Sequence, residues 1–114
     1  MIAIIDEIPA DVVERLSGIT SELQSLIENR QIEVIDSGGI APLIDLRTIS
    51  EVVNLRAKQT DLLILEGMGR ALESNFDAAF TVDAIKLAMI KDEAVARKHG
   101  GENFDTVCRF DPAA

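Results

Sequence analysis

Two stretches of this 114-residue chain run apolar with almost no alternation: "DLLIL" (Asp61–Leu65) and "AIKLAMI" (Ala84–Ile90), the latter broken only by Lys86. A strand with one wet face alternates apolar and polar side chains, because successive side chains point to opposite faces. An unbroken apolar run instead asks for cover on both faces. Strands of that kind belong to parallel sheets, whose crossover connections lay helices over them. This requirement constrains the fold more than any other feature of the chain.

The intervening stretches supply such helices. Pro9 suits a first helical turn, and Val12, Val13, Leu16, Ile19, Leu23, Leu26 and Ile27 recur at three- and four-residue spacing up to Arg30. A break is expected at Ser17 and Gly18, where glycine costs about 1 kcal/mol relative to alanine. "IEVID" (Ile32–Asp36) alternates as a strand with one wet face does, and "SGGIAP" stops it. Thr48 with Glu51 stands in the capping-box relation and starts a helix that ends near Thr60. Asp92 caps a short helix that Gly100 and Gly101 terminate, "FDTVCRF" is a last strand, and the tail "DPAA" is expected to fray. The order helix, strand, helix, strand, irregular segment, strand, helix, strand predicts a single α/β domain over residues 1–114. Its expected centre is a mainly parallel sheet of about four strands flanked by helices, a Rossmann-like layer architecture.

Hydrophobic residues make up 47% of the chain and aromatics 4%, so the core must come from Leu, Ile, Val and Ala. Phe76, Phe80, Phe104 and Phe110 are its few large pieces. The formal charge of −9, with no compensating cluster of Lys and Arg, argues against nucleic acid as a partner. Cys108 is the only cysteine, which rules out an internal disulfide and a four-cysteine zinc site in the monomer; a core position is expected for it. "MIAIIDEIP" is too short for a signal h-region, and no apolar run approaches the roughly 18 residues of a membrane helix. These readings predict a soluble, cytoplasmic protein.

In open α/β sheets, ligands bind beyond the carboxyl ends of the strands, where "DSGGIAPLIDLR", "EGMGR" and "KDE" begin. In the second of these, Gly67 and Gly69 flank Met68 and can adopt positive φ, bringing amides close to an anion, while Arg70 offers a forked donor. The alternative is a plain strand-to-helix turn. Glu66 would oppose an anion unless it holds a metal, accepts a substrate hydroxyl or pairs with Arg70. Asn75 adds a neutral donor and acceptor. Asp45 either caps or shapes the turn before a helix or faces the ligand edge as an acid, base or hydroxyl acceptor. Lys91, directly after a strand, either neutralises a phosphate or is solvated, and Lys86 is mid-strand with its role open. His99 reads as a helix C-terminal residue favoured by the dipole.

Taken together, "SGGIAPLIDL", "DLLILEGMGRALESN", "AIKLAMIK" and "GGENFDTVCRF" resemble the carboxy-terminal part of the metal-dependent damage-control phosphatases, in the branch related to the pantothenate-kinase-associated domain. The likeness covers about residues 11–110, and "EGMGR" followed by Asn75 and Lys91 is its specific part. The resemblance implies an α/β protein that uses a divalent cation, Mg or Mn, to hydrolyse phosphomonoesters of damaged or surplus metabolites. It further implies that Asp45, Glu66, Gly67, Met68, Gly69, Arg70, Asn75 and Lys91 line the substrate edge. The family's metal is held by an Asp-Asn pair and a further aspartate. This sequence has no Asp-Asn dipeptide, and only Asp6 stands near the place of the last ligand.

The resemblance therefore implies a module that lacks the family's amino-terminal portion, with no catalytic or metal residues assigned, and nearly inactive alone because nothing activates the attacking water. The alternatives are a non-catalytic binding module for a small phosphorylated metabolite and a purely structural association domain. An exposed sheet edge or face would also predict a homo-oligomer, a dimer in the first place, or pairing with a chain that carries the metal site.

Overall fold

A computed structural model of the chain describes residues 2–6, 8–38, 45 and 47–114. Gly39 and Pro42, and with them most of "SGGIAPLIDL", lie outside the described residues. The described chain is an α/β protein that divides into two compact units, one up to Gln59 and one from Thr60 onward. Among the described residues there is a two-stranded parallel sheet in the first unit and a three-stranded mixed sheet in the second. The expected single, mainly parallel sheet of about four strands is corrected accordingly.

The first unit opens with a strand that the sequence pattern did not reveal. β1 (Ile2–Asp6) pairs in parallel with β2 (Ile32–Asp36), in register from Ile2 with Ile32 to Asp6 with Asp36. Two helices make the crossover, α1 (Pro9–Ile19) and α2 (Ser21–Glu28). The break between them falls at Thr20, not at Ser17 and Gly18. Thr20 is extended, and its hydroxyl accepts the Leu23 amide at 3.2 Å, so a side-chain cap rather than glycine's freedom sets the boundary. At the far end of β2, Ser50 caps α3 (Glu51–Ala57) in place of the expected Thr48. Ser50 also donates from its hydroxyl to the Asp36 carbonyl at 2.9 Å and from its amide to the Ser37 carbonyl at 2.8 Å, which stitches the start of α3 to the end of β2. Arg56 of α3 closes a two-pronged pair with Glu33 of β2 at 2.8 and 3.0 Å, and this hydrogen bonding holds the Glu33 carboxyl below its ordinary range.

In the second unit β3 (Leu62–Glu66) runs parallel to β4 (Asp83–Met89), and β5 (Thr106–Asp111) returns antiparallel on the other side of β4. α4 (Glu93–Lys98) starts at Asp92, whose carboxylate accepts the Ala94 and Val95 amides at 2.9 and 3.1 Å. One face of this sheet meets α4 and the segment after β3. There Leu65, Ala71, Leu72, Ala88, Ile90, Val95 and Ala96 form the buried core, with Leu63, Phe76, Phe80 and Val107 packed against it.

The opposite face departs from the cover on both sides that the apolar runs required. Register places Ile64, Ile85 and Phe110 in one row and Glu66, Leu87 and Cys108 in the next. Ile64 is 56% exposed and Phe110 59%. Cys108 is exposed on this face, not buried in the core, because it alternates with the inward Val107 and Arg109. Phe104 and Phe110 are likewise surface residues, so only Phe76 and Phe80 serve the core as large pieces. The tail is not frayed: Ala113 donates to the Asp83 carboxylate and Ala114 to the Phe80 carbonyl, both at 2.9 Å. No helix among the described residues is long and apolar enough to cross a membrane.

Candidate functional site

The carboxyl ends of β3 and β4 lie side by side because the two strands are parallel, and the segments that leave them therefore share one edge of the second unit. After Glu66 the ladder continues for one bond, from the Gly67 amide to the Leu87 carbonyl at 2.9 Å. Gly67 then turns the chain with φ +111° and ψ 147°, a backbone region open essentially to glycine alone. Its amide belongs to the ladder and is not presented to a ligand. A Cβ at this position would meet nothing within 4 Å, so the demand for glycine is one of torsion and not of space. Gly67→Ala is expected to destabilise the second unit by roughly 1–3 kcal/mol, the cost of a strained backbone residue, with no steric addition. Urea denaturation followed by circular dichroism reads this loss, and an unchanged midpoint would refute the strain account.

From Met68 to Glu73 the chain winds into a wide-turn helix, the strand-to-helix alternative for "EGMGR". Gly69 sits inside it with no positive φ. The wide winding is visible where the Ser74 amide reaches back five residues to the Gly69 carbonyl at 3.1 Å. Ser74 also donates its hydroxyl to that carbonyl at 2.7 Å, and Asn75 donates its amide nitrogen to the Arg70 carbonyl at 2.9 Å. Asn75 is only 4% exposed, so the structure places it beneath the segment, where it fastens Arg70's backbone. Met68 crosses to the neighbouring strand end: its sulfur accepts the Lys91 amide at 3.3 Å. Met68, Arg70 and Lys91 thus come directly after two adjacent parallel strand ends. The exposed Lys91 precedes the cap of α4, and Glu66 is exposed on the outward face of β3.

Lys86, whose role was open, is fully buried. It is inward on β4, directly opposite Arg109 of β5. Its ammonium donates to the carbonyls of Phe76 at 2.6 Å and Ala78 at 2.9 Å and pairs with Asp111 at 2.8 Å, so all three of its protons have acceptors. Asp111 also takes Arg109 at 2.6 Å, and the Arg109 guanidinium lies 4.5 Å over the Phe76 ring. His99 ends α4 with its ring edge-on to Phe76 at 4.6 Å. This network shapes the loop between the wide-turn helix and β4, underneath the candidate edge.

Asp45 belongs to the first unit. Its carboxylate accepts the Arg47 amide and takes the Arg47 guanidinium on two prongs at 2.9 and 2.8 Å, and these hydrogen bonds lower its pKa to about 2. The geometry is that of a local turn, with the Thr48 amide closing onto the Asp45 carbonyl at 3.0 Å. Asp6 and Asp36 stand opposite one another at the carboxyl ends of β1 and β2. Each commits one oxygen to the adjoining turn, to the Ile8 amide at 2.9 Å and the Gly38 amide at 2.8 Å. Among the described residues no three acidic, His or Cys side chains gather into a group able to hold a metal ion.

The chain matches the damage-control phosphatase ARMT1-like domain over residues 3–107, nearly its whole length, and it belongs to that family. A pantothenate kinase 2 of Oryza sativa subsp. japonica is 38% identical over 102 residues, which cover 89% of this chain and 11% of the rice protein. A pantothenate kinase 2 of Arabidopsis thaliana is 48% identical over 80 residues, 69% of this chain and 9% of that protein. A damage-control phosphatase of Arabidopsis thaliana is 34% identical over 102 residues, 88% of this chain and 28% of the relative. The chain thus spans only a small part of the length of each of these relatives.

Proposed function

We propose that the chain is the phosphate-facing module of a damage-control phosphatase, which holds the phosphate of a small phosphomonoester at the shared edge of β3 and β4. In this reading Lys91 meets the phosphate, the segment Glu66–Arg70 shapes the floor beside it, and Asn75 keeps Arg70's backbone in place. The observation that carries the reading is the bond from the Lys91 amide to the Met68 sulfur, which ties the glycine-bearing turn to the cation that leaves β4. Turnover would need the metal-bearing residues that the family pattern places in an Asp-Asn segment, which is not in this sequence. Binding without hydrolysis is accordingly the expected behaviour of this chain by itself.

Calorimetry with inorganic phosphate and with a small sugar phosphate tests the site. Lys91→Ala is expected to weaken both by about tenfold, since a charge-assisted hydrogen bond is lost. Equal affinity in wild type and variant would remove Lys91 from the site. Phosphate release from a phosphomonoester by the chain with Mg or Mn alone, at rates above the buffer background, would overturn the expectation of binding without turnover.

A further inference from the structure

Phe104 combines two properties that are rarely found together. It is 73% exposed, the most exposed of the large apolar side chains described, and its φ of +71° lies in the left-handed region that L side chains seldom adopt. Packing cannot explain the conformation, because so little of the ring is packed. The backbone around it enforces the geometry. The Phe104 amide donates to the Ile90 carbonyl at 2.7 Å, and the Ile90 amide donates to the Asp105 carbonyl at 2.9 Å. The Asp105 amide closes onto the Glu102 carbonyl at 3.1 Å, and the Asp105 carboxylate takes the Glu102 amide at 2.9 Å. Four hydrogen bonds therefore fix a strained residue whose side chain stands in solvent, a pattern met where the presented group is used.

Its position gives the use. β5 is antiparallel to β4, so the residues that lead into β5 lie at the same end of the sheet as the residues that leave β4. The carbonyl that receives the Phe104 amide belongs to Ile90, the immediate neighbour of Lys91, and the Lys91 amide is bound in turn to Met68. The exposed ring and the turn after β3 thus flank, one on each side, the end of β4 from which the exposed Lys91 leaves.

We propose that Phe104 is a specificity-determining residue, the platform on which the organic part of the phosphomonoester lies while Lys91 meets its phosphate. The proposal rests on the phosphate-edge reading above and adds a substrate class to it: phosphomonoesters whose carbon skeleton offers a flat apolar or aromatic face next to the phosphate. Esters with a short, fully hydrated alcohol would gain nothing from the ring.

Calorimetry on the whole chain with inorganic phosphate, glycerol 1-phosphate and phenyl phosphate decides it. Phenyl phosphate is expected to bind about threefold to tenfold tighter than the other two, as an aromatic pair contributes. Phe104→Ala and Phe104→Asn should bring phenyl phosphate down to the level of inorganic phosphate and leave inorganic phosphate within about twofold, and Phe104→Tyr should keep the preference. Asparagine tolerates left-handed φ, so Phe104→Asn should melt at or above the wild-type temperature, which separates lost binding from lost folding. Phosphate binding that Lys91→Ala weakens, with no preference for the phenyl ester, overturns the role of Phe104 and leaves the phosphate edge standing. A phenyl preference that survives in both Phe104→Ala and Phe104→Asn overturns it equally. Absence of binding by any of the three ligands overturns both readings.

Discussion

Lys86→Ala will lower the stability of the β3–β4–β5 unit by about 3 kcal/mol, because it empties a fully buried position and removes a charged donor from two carbonyls. Asp111, which is partly exposed, would keep Arg109 at 2.6 Å. The carbonyls of Phe76 and Ala78 would be left without their donor, and the ammonium nitrogen 5.7 Å from the centre of the Phe80 ring would be gone. Lys86→Met keeps the stem and should lose about half as much. Acid gives a second signature. Lys86 first, and Arg109 after it, hold the Asp111 carboxyl below its ordinary 3.8. A carboxyl lowered on folding contributes stability that is fully present above the unfolded value and is lost as the pH falls through the folded one. The gap between wild type and Lys86→Ala should therefore narrow on acidification below pH 3.8. Urea midpoints by circular dichroism across that range measure it. A loss below about 1 kcal/mol at neutral pH, the scale of an exposed pair, would show that the network is solvated.

Gly38→Ala will cost the first unit about 3 kcal/mol, the sum of left-handed strain and overpacking. Gly38 has φ +83°, and a Cβ there would stand 2.9 Å from the Ser50 amide nitrogen and 3.1 Å from its Cα. These are backbone atoms at the start of α3 and cannot swing aside, and the same amide is already held by Ser37 at 2.8 Å. Relief would pull Ser50 from its cap and from the Asp36 carbonyl together. The contrast with Gly67, where the added methyl meets only open space, makes the pair informative: Gly38→Ala should be the more damaging substitution of the two. Equal losses would mean that the clash relaxes.

The legible parts of this fold are those whose pattern is local. β3 and β4 are legible as runs of apolar residues, β2 as an alternation of apolar and acidic ones, α4 from Asp92, and the turn at Gly67 from glycine after a strand. β1 was not legible because Ile2–Asp6 becomes a strand only by pairing with Ile32–Asp36, far along the chain. The break at Thr20 was missed because two boundary signals compete within four residues, and the cap overrides the glycine. Two-sided cover was read for β3 from composition, yet Leu62 and Ile64 are exposed, since an apolar run does not say how many faces a sheet will find occupied. At the candidate edge, sequence supplied the cation and the glycine turn. It could not supply the inward amide of Asn75, which depends on a five-residue winding that helical periodicity does not contain. Nor could it give Phe104 its place, because an aromatic before a strand reads as core until its φ and exposure are seen.

The burial of Lys86 has a practical corollary. Lys58, Lys91 and Lys98 are exposed, so an acylating reagent aimed at primary amines will reach them first. The fourth lysine, Lys86, donates to three oxygens and has no surface, so it is not reachable while the second unit stays shut. The rate at which that single position becomes acylated is then a clock for the opening of the sheet, read peptide by peptide in a mass spectrometer.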